Sequence, residues 1–377
     1  MKKSLLALAV LGAFAGAASA QSSVTIYGIA DAGVGRVDNG AAAGSTNGLF
    51  SGGNNASRIG FKGVEDLGNG LKATFVLENG FNVDDGSQAS ASNGGPSATT
   101  GSPTPAGAAT GAGTFSRLSY IGLEGNFGAV RLGRQNSQVK TALAQIDPFE
   151  TGGLVNGITY FGGNQGGTMP ERVSNQISYT SANLGGFTGQ VGYVFGETTG
   201  DNGANRSWGA QLGYANGPLN VQFGYNDQQQ SNIGTVAGFL NTNDIEDVKI
   251  ALIGATYDFG VVKLHAAYGQ KKANFEAPTA QDFKVKSALV GVTVPFGASK
   301  IRAEYIRNND DRDNFDNNVA AVSYSYALSK RTQLYATYAR VDNDSSSNLG
   351  FTGVSSVSGV TAGENTNAFV VGVQHNF

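Results

Sequence analysis

Residues 187–195 read FTGQVGYVF, and their side chains alternate between two faces of an extended chain. The apolar face is formed by Phe187, Val191, Tyr193 and Phe195. Threonine, glutamine and glycine occupy most of the opposite face. A period of two residues with one apolar and one polar face predicts a β-strand.

The same alternation returns at 207–214, 219–226 and 262–269. A water-soluble β-sandwich also alternates, but its outer face carries dense Lys and Glu, whereas these polar faces carry Gln, Asn, Ser and Gly. Phe187 and Phe195 lie about 26 Å apart along a strand. After a tilt of about 40° this matches the apolar band and aromatic girdles of a transmembrane barrel. Such a barrel is closed, because an open edge leaves unpaired amides in hydrocarbon.

Short turns and long polar stretches also alternate along the chain. Seven tight turns are predicted near 68–70, 126–128, 183–186, 216–218, 258–260, 296–299 and 329–332. Eight long connections are predicted near 37–56, 84–114, 135–173, 196–206, 227–247, 271–282, 307–317 and 342–365. Fifteen connections join sixteen strands, with both termini at the short-turn end. The predicted fold is an all-β, 16-stranded antiparallel transmembrane β-barrel.

The composition excludes several classes of site. The chain of 377 residues has 56 glycines, no cysteine and two histidines, so thiolate metal sites and cysteine catalysis are excluded. A net charge of -3 argues against a nucleic-acid partner. His265 has no second histidine or cysteine nearby, and we expect neither a metal site nor a cofactor.

The first twenty residues have the pattern of a cleaved signal peptide. Lys2 and Lys3 precede an apolar run that ends in the A-x-A site Ala18-Ser19-Ala20. The run is too short for a transmembrane helix. We therefore predict export, a mature chain that begins at Gln21, and one barrel domain over 21–377.

Four segments carry a recognisable set of motifs: VTIYGIADAGVG, SRIGFKGVEDLGNGLKATFVLE, FSRLSYIGLEGNFGAVRLGR and the closing AFVVGVQHNF. Together they resemble trimeric general diffusion porins of Gram-negative bacteria, most closely the betaproteobacterial type. The resemblance implies a homotrimer in the cell outer membrane, in contact with membrane lipids and lipopolysaccharide. It also implies that the third long loop, 135–173, folds into the lumen and narrows it.

The resemblance implies charged residues at this constriction. In the third loop, IDPFETGG resembles the segment that presents carboxylates to the pore, which makes Asp147 and Glu150 candidates. Glu171 is the loop's further carboxylate. Which of Asp147 and Glu150 points into the lumen stays open.

An opposing row of cations is implied at Arg58, Arg117 and Arg172. Alternation supports Arg58 and Lys62, because Ile59 and Phe61 between them are expected to face lipid. For Arg117 the same argument takes its neighbours Leu118 and Tyr120 as lipid-facing. The direction of Arg172 rests on the resemblance alone. Ile29 stands where some relatives have a lysine.

These features favour a passive, largely non-specific diffusion channel for small hydrophilic solutes and ions, with a preference for anions. The alternative is a substrate-selective porin for sugars or dicarboxylates. A row of lumenal aromatic residues would favour sugars, and the sequence predicts none. A barrel enzyme and a plugged structural barrel are the remaining classes, and bilayer conductance separates the channel from both.

Overall fold

The computed structural model describes residues 23–40, 44–89, 114–162, 171–197, 206–229, 245–275, 281–351 and 360–377. The predicted signal peptide, the predicted start at Gln21 and most of the loop 84–114 lie outside the described residues. In the parts of the chain that are described, no helix has the length and apolar character needed to cross a membrane.

The described chain forms one closed antiparallel sheet. Its strands are β1 (Ser23–Asp38), β2 (Thr46–Ser51), β3 (Arg58–Gly68), β4 (Leu71–Gly80), β5 (Leu118–Gly125), β6 (Gly128–Asn136), β7 (Arg172–Thr180), β8 (Phe187–Val194), β9 (Ser207–Asn216), β10 (Leu219–Gln229), β11 (Ile245–Asp258), β12 (Lys263–Phe275), β13 (Phe283–Phe296), β14 (Ser299–Asp310), β15 (Asn317–Ala327), β16 (Thr332–Asn343) and β17 (Thr366–Asn376). From β3 onward each strand pairs with the next.

Strand β1 closes the barrel. The second half of β1, from Ile29 to Asp38, pairs with β17, and its first half, from Ser23 to Ile29, pairs with β3. The six-residue strand β2 pairs with residues 32–37 of β1, beyond Ile29, where the pairing of β1 with β3 ends. Sixteen strands therefore form the wall, as predicted, and β2 is an additional strand within the first long loop.

The seven short turns lie at one end of the barrel, and the strand ends joined by the eight long connections lie at the other, as predicted. The turn between β3 and β4 is an example. Gly68, Asn69 and Gly70 have φ values of 86°, 53° and 78°. Glycine and asparagine tolerate this left-handed region better than other residues do, which is why so tight a turn forms here.

The outer face is apolar. Phe187 and Phe195 are 60% and 53% exposed, which confirms the predicted orientation of the strand between them. On β5 the prediction was wrong, because Ile121 and Leu123 form the outer face and Leu118 and Tyr120 lie inside. Tyr120 packs beside the lumenal Arg131, whose guanidinium carbon is 5.5 Å from the ring centroid.

Candidate functional site

The described part of the third loop, residues 137–162 after β6, fills part of the barrel interior. It contains helix α1 (Gln138–Leu143) and the single turn α2 (Gly157–Tyr160). The side chain of Ser137 accepts a hydrogen bond from the amide of Lys140 and starts α1. The apolar side chains of the loop are buried against the inner wall; they are Val139, Leu143, Ile146, Phe149, Leu154, Val155, Ile158 and Phe161.

Polar side chains of the wall hold the loop backbone. Asn226 on β10 accepts from the amide of Val139 at 2.9 Å. Near the end of the described stretch of the loop, Asn308 on β14 donates to the carbonyl of Tyr160 at 2.8 Å. Because buried backbone groups need partners, these bonds set where the loop docks.

Glycines in the wall give the loop room. Gly224, Gly254, Gly269 and Gly291 lie on the four consecutive strands β10 to β13. A Cβ atom on Gly224 would stand 2.9 Å from the Cβ of Ala142, and one on Gly291 would overlap the ring of Pro148. The closeness of the loop to the wall therefore depends on the absence of side chains at these positions.

Replacing Gly291 by alanine is expected to push the tip of the loop away from the wall and into the lumen. The added methyl group occupies the space of the Pro148 ring, so the tip moves by roughly 1 Å to restore van der Waals contact. Single-channel conductance should fall by tens of per cent, that is, on the order of the lost cross-section. The control is Gly189→Ala, where a Cβ meets nothing closer than 3.5 Å. An unchanged conductance in Gly291→Ala would contradict this close packing.

Asp147 shapes the tip of the loop. Its carboxylate accepts hydrogen bonds from the amides of Phe149 at 2.7 Å, Thr151 at 2.8 Å and Gly157 at 3.1 Å. Glu150 and Thr151 take left-handed φ values of 56° and 54°. Such a conformation is strained for residues other than glycine, and the amide bonds to Asp147 hold it.

The two candidate carboxylates therefore have different surroundings. Asp147 is 2% exposed, and its carboxylate is hydrogen-bonded to amides of its own loop. Burial raises the pKa of Asp147 above its usual value, although these amide bonds oppose the rise. Glu150 is exposed and projects into the lumen from the strained tip.

A cavity of about 250 Å³ separates this tip from the wall formed by β3, β5 and β7. We call it the arginine cavity. Its charged lining consists of Arg58, Glu78, Arg117, Lys140, Glu150, Glu171 and Arg172. Four cations therefore face three carboxylates.

Most of these charges are paired. Nε of Arg117 is 2.6 Å from Oε1 of Glu78. Glu171 takes two partners: it contacts Nζ of Lys140, and its Oε1 is 2.8 Å from Arg172. Burial raises the pKa of Glu171, but the surrounding cations outweigh it and leave the value below the usual one. Burial and the charge of Arg172 keep the pKa of Lys140 well below its usual value, against the opposing effect of Glu171.

Arg58 differs from the other cations of the cavity. Its guanidinium donates to the carbonyl of Ala56 at 3.1 Å and to the side chain of Asn55. Within the described ranges it makes no ion pair with a carboxylate. Its charge is therefore the one left without a direct counter-ion at the cavity.

Residues 53–55 of the first long loop are held by hydrogen bonds and orient this arginine; we call this segment the brace. Buried Asp31 accepts from the amides of Asn54 and Asn55 at 3.2 and 2.8 Å and from the hydroxyl of Tyr335 at 2.6 Å. Within the braced segment, the carbonyl of Gly53 accepts from the amide of Leu154 in the third loop at 3.0 Å. The brace thus ties the third loop to the wall that carries Arg58.

The arrangement brings together four of the six residues that the sequence singled out. Arg58, Arg117, Arg172 and Glu150 line the arginine cavity. Asp147 stands behind the tip, as described above. Lys62 lies on the inner face of β3 nearer the short turns, with its Nζ 5.2 Å from the ring centroid of Tyr27.

Arg117 reaches the lumen for a different reason from the one predicted. It precedes the first residue of β5, so its side chain does not follow the alternation of that strand. Its amide donates to the carbonyl of Glu78 at 3.1 Å, and its guanidinium binds the carboxylate of the same residue. The partner on β4 therefore sets its direction.

Some lumenal residues were missed by the sequence analysis. Lys300 and Arg302 lie inside because Ile301 and Tyr305 are on the outer face. The alternation of KIRAEY was a usable signal for them. Lys140 carried no such signal, because it lies on a short helix of the third loop.

A closed barrel with an apolar outer face, a charged lumen and an inward loop defines a membrane channel of the outer-membrane type. The family model for Gram-negative porins matches residues 7–346. The chain belongs to the Gram-negative porin family and is a channel protein of the outer membrane.

Relatives and solved structures agree with this. Outer membrane porin protein 32 of Delftia acidovorans is 36% identical over 386 residues, covering 100% of both chains. The solved anion-selective porin from Comamonas acidovorans superposes with a TM-score of 0.77 at 33% identity, covering 95% of this chain and 100% of that one. OmpT of Vibrio cholerae, solved in a trimer form, has a TM-score of 0.64 at 17% identity, covers 94% and 99%, and shows similarity of fold alone.

Proposed function

We propose that this porin is a passive, largely non-specific diffusion channel for small hydrophilic solutes and ions, and that it prefers anions. The observation that carries the proposal is the charge at the arginine cavity, where four cations stand against three carboxylates and Arg58 has no ion-pair partner in the described chain. An ion in the lumen therefore meets a net positive charge at the narrowed level.

The size of the effect follows from Coulomb's law. One net charge about 6 Å from a permeating ion is worth about 0.7 kcal/mol in water. Anions are then enriched and cations depleted by roughly three-fold each, before screening by salt. Charges at the loop mouths act less, because the Debye length at physiological salt is about 8 Å.

The relatives support the same proposal. The Comamonas protein, at 33% identity over nearly the whole chain, is described as anion-selective. The proposed functional unit is a homotrimer, by analogy with the trimeric diffusion porins that the sequence resembles. Lipopolysaccharide and outer-membrane lipids are its proposed surroundings, and a trimer stable in SDS until heated is the expected mark of correct folding.

The purified wild-type channel should pass chloride several-fold more readily than potassium. The reversal potential across a planar bilayer with a potassium chloride gradient measures this ratio directly. Swelling of proteoliposomes in neutral sugars of increasing size tests the second half of the proposal, since a non-specific channel ranks them by size alone. A reversal potential of cation-preferring sign would overturn the anion preference. A sugar admitted out of its size order would favour a substrate-selective channel.

A further inference from the structure

A second positively charged cavity lies beside the arginine cavity, nearer the short-turn end of the barrel. It has a volume of about 340 Å³, and Pro148 and Glu150 at the loop tip form one of its sides. Its cations are Lys263 on β12 and Lys300 and Arg302 on β14. Glu150 also lines the arginine cavity, so it stands between the two.

The cations of this cavity are not neutralised by pairing. In the described part of the chain, none of Lys263, Lys300 and Arg302 belongs to an ion pair. Both lysines are half-buried and lie next to short turns, Lys263 as the first residue of β12 and Lys300 as the second residue of β14. They are therefore held near the lumen wall and do not extend freely into water.

The surroundings of Arg302 are the strongest evidence that this cavity binds a ligand. It is 6% exposed, its Nη2 donates to the side chain of Asn54, and its guanidinium stacks over Phe149 at 4.8 Å from the ring centroid. Its Nε has no acceptor among the residues that the structure describes. A buried donor without a partner is costly, and an oxyanion in the cavity would supply the acceptor.

The remaining titratable groups leave the cations dominant at the cavity surface. The oxygens of Asp147 accept the loop's own amides, and the buried carboxyl group of Glu304 lies against that of Asp147. His265 is occupied on both ring nitrogens, by the carbonyl of Ile146 and the hydroxyl of Thr293. The cavity is therefore lined by three cations and two carboxylates, of which Glu150 is exposed and Asp147 is only 2% exposed.

We propose that this cavity is a second anion-binding site, which takes compact divalent oxyanions on the periplasmic side of the constriction. Three cations against one accessible carboxylate match two negative charges, and the volume accommodates a phosphate or a short dicarboxylate. An anion that passes Glu150 from the arginine cavity is taken up by Arg302 and released past Lys300 and Lys263. The inference rests on the proposed anion preference and adds a defined site to it.

Inorganic phosphate at pH 8 is the probe, and the readout is its effect on chloride current through single trimers. In the wild type, phosphate should reduce the current saturably. In Lys263→Gln/Lys300→Gln the half-effective phosphate concentration should rise at least roughly five-fold, because two charges at contact distance are lost. The matched control is Lys330→Gln/Arg331→Gln, which removes two exposed charges from the turn between β15 and β16 at the same end of the barrel.

The outcomes separate this site from the proposed function. Both variants are first checked for the heat-dissociable trimer, so that a folding defect is recognised. Three results would each overturn the site. The wild type shows no saturable block by phosphate, or the lysine variant keeps the wild-type half-effective phosphate concentration. The third is a control whose half-effective concentration rises as much as that of the lysine variant. The wild-type reversal potential tests the anion preference independently of all three.

Discussion

Replacing Arg58 and Arg117 together by glutamine is expected to reverse the ion preference of the channel. In the wild type, four cations face three carboxylates at the arginine cavity. In the double variant, Lys140 and Arg172 face the same three carboxylates, and Glu78 loses its partner. The net charge thus changes sign, and the chloride-to-potassium permeability ratio should fall on the order of ten-fold.

The measurement is the reversal potential in a salt gradient, taken together with single-channel conductance. Conductance should also rise, because two guanidinium groups leave the narrowed level. The control is Arg307→Gln/Arg340→Gln, which removes two arginines that do not line the arginine cavity. If the test variant kept both the reversal potential and the conductance of the wild type, Arg58 and Arg117 would not be at the constriction.

Replacing Asp147 by alanine is expected to release the tip of the third loop while the barrel stays intact. The change removes three hydrogen bonds to a carboxylate, each worth about 1.5–3 kcal/mol. Glu150 and Thr151 would then leave their strained left-handed conformation. Single-channel conductance should rise by roughly half or more, with added current fluctuations from the mobile tip.

Two further variants make this result specific. Asp147→Asn keeps one carbonyl acceptor and should give a smaller increase. Asp85→Ala removes an exposed carboxylate that caps a turn in another loop, and it should leave the conductance unchanged. If Asp147→Ala formed trimers of normal heat stability and kept the wild-type conductance without added current fluctuations, the role of Asp147 at the tip would be contradicted.

The barrel itself was predictable because membrane and lumen impose a strict period of two on the strands. The pattern around Phe187 and Phe195 reports that period directly, and the alternation of turns and loops counts the strands. The failure at Leu118 and Tyr120 has a physical cause. In the lumen the ring of Tyr120 packs against the guanidinium of Arg131, so an aromatic residue at this position does not identify the lipid-facing side of the strand.

The different roles of Asp147 and Glu150 could not be read from the sequence. The two residues are three positions apart in an irregular loop, where no period relates position to direction. Their roles depend on which amides turn toward which carboxylate. The missing ion pair of Arg58 is likewise a property of the assembled wall, because its hydrogen-bond partner Asn55 is held in place by Asp31 on β1, which is 24 positions away in the sequence.

The glycines beneath the third loop have a consequence for how such a channel can diverge. Gly224, Gly254, Gly269 and Gly291 determine how far the loop stands from the wall, yet none of them carries charge. The cations of the arginine cavity lie elsewhere, on β3 and β7, just before β5 and within the third loop. Single substitutions at these glycines are therefore expected to change the width of the opening while leaving the arginines of the wall in place. The width of the lumen and its charge are thus encoded at different positions of the sequence.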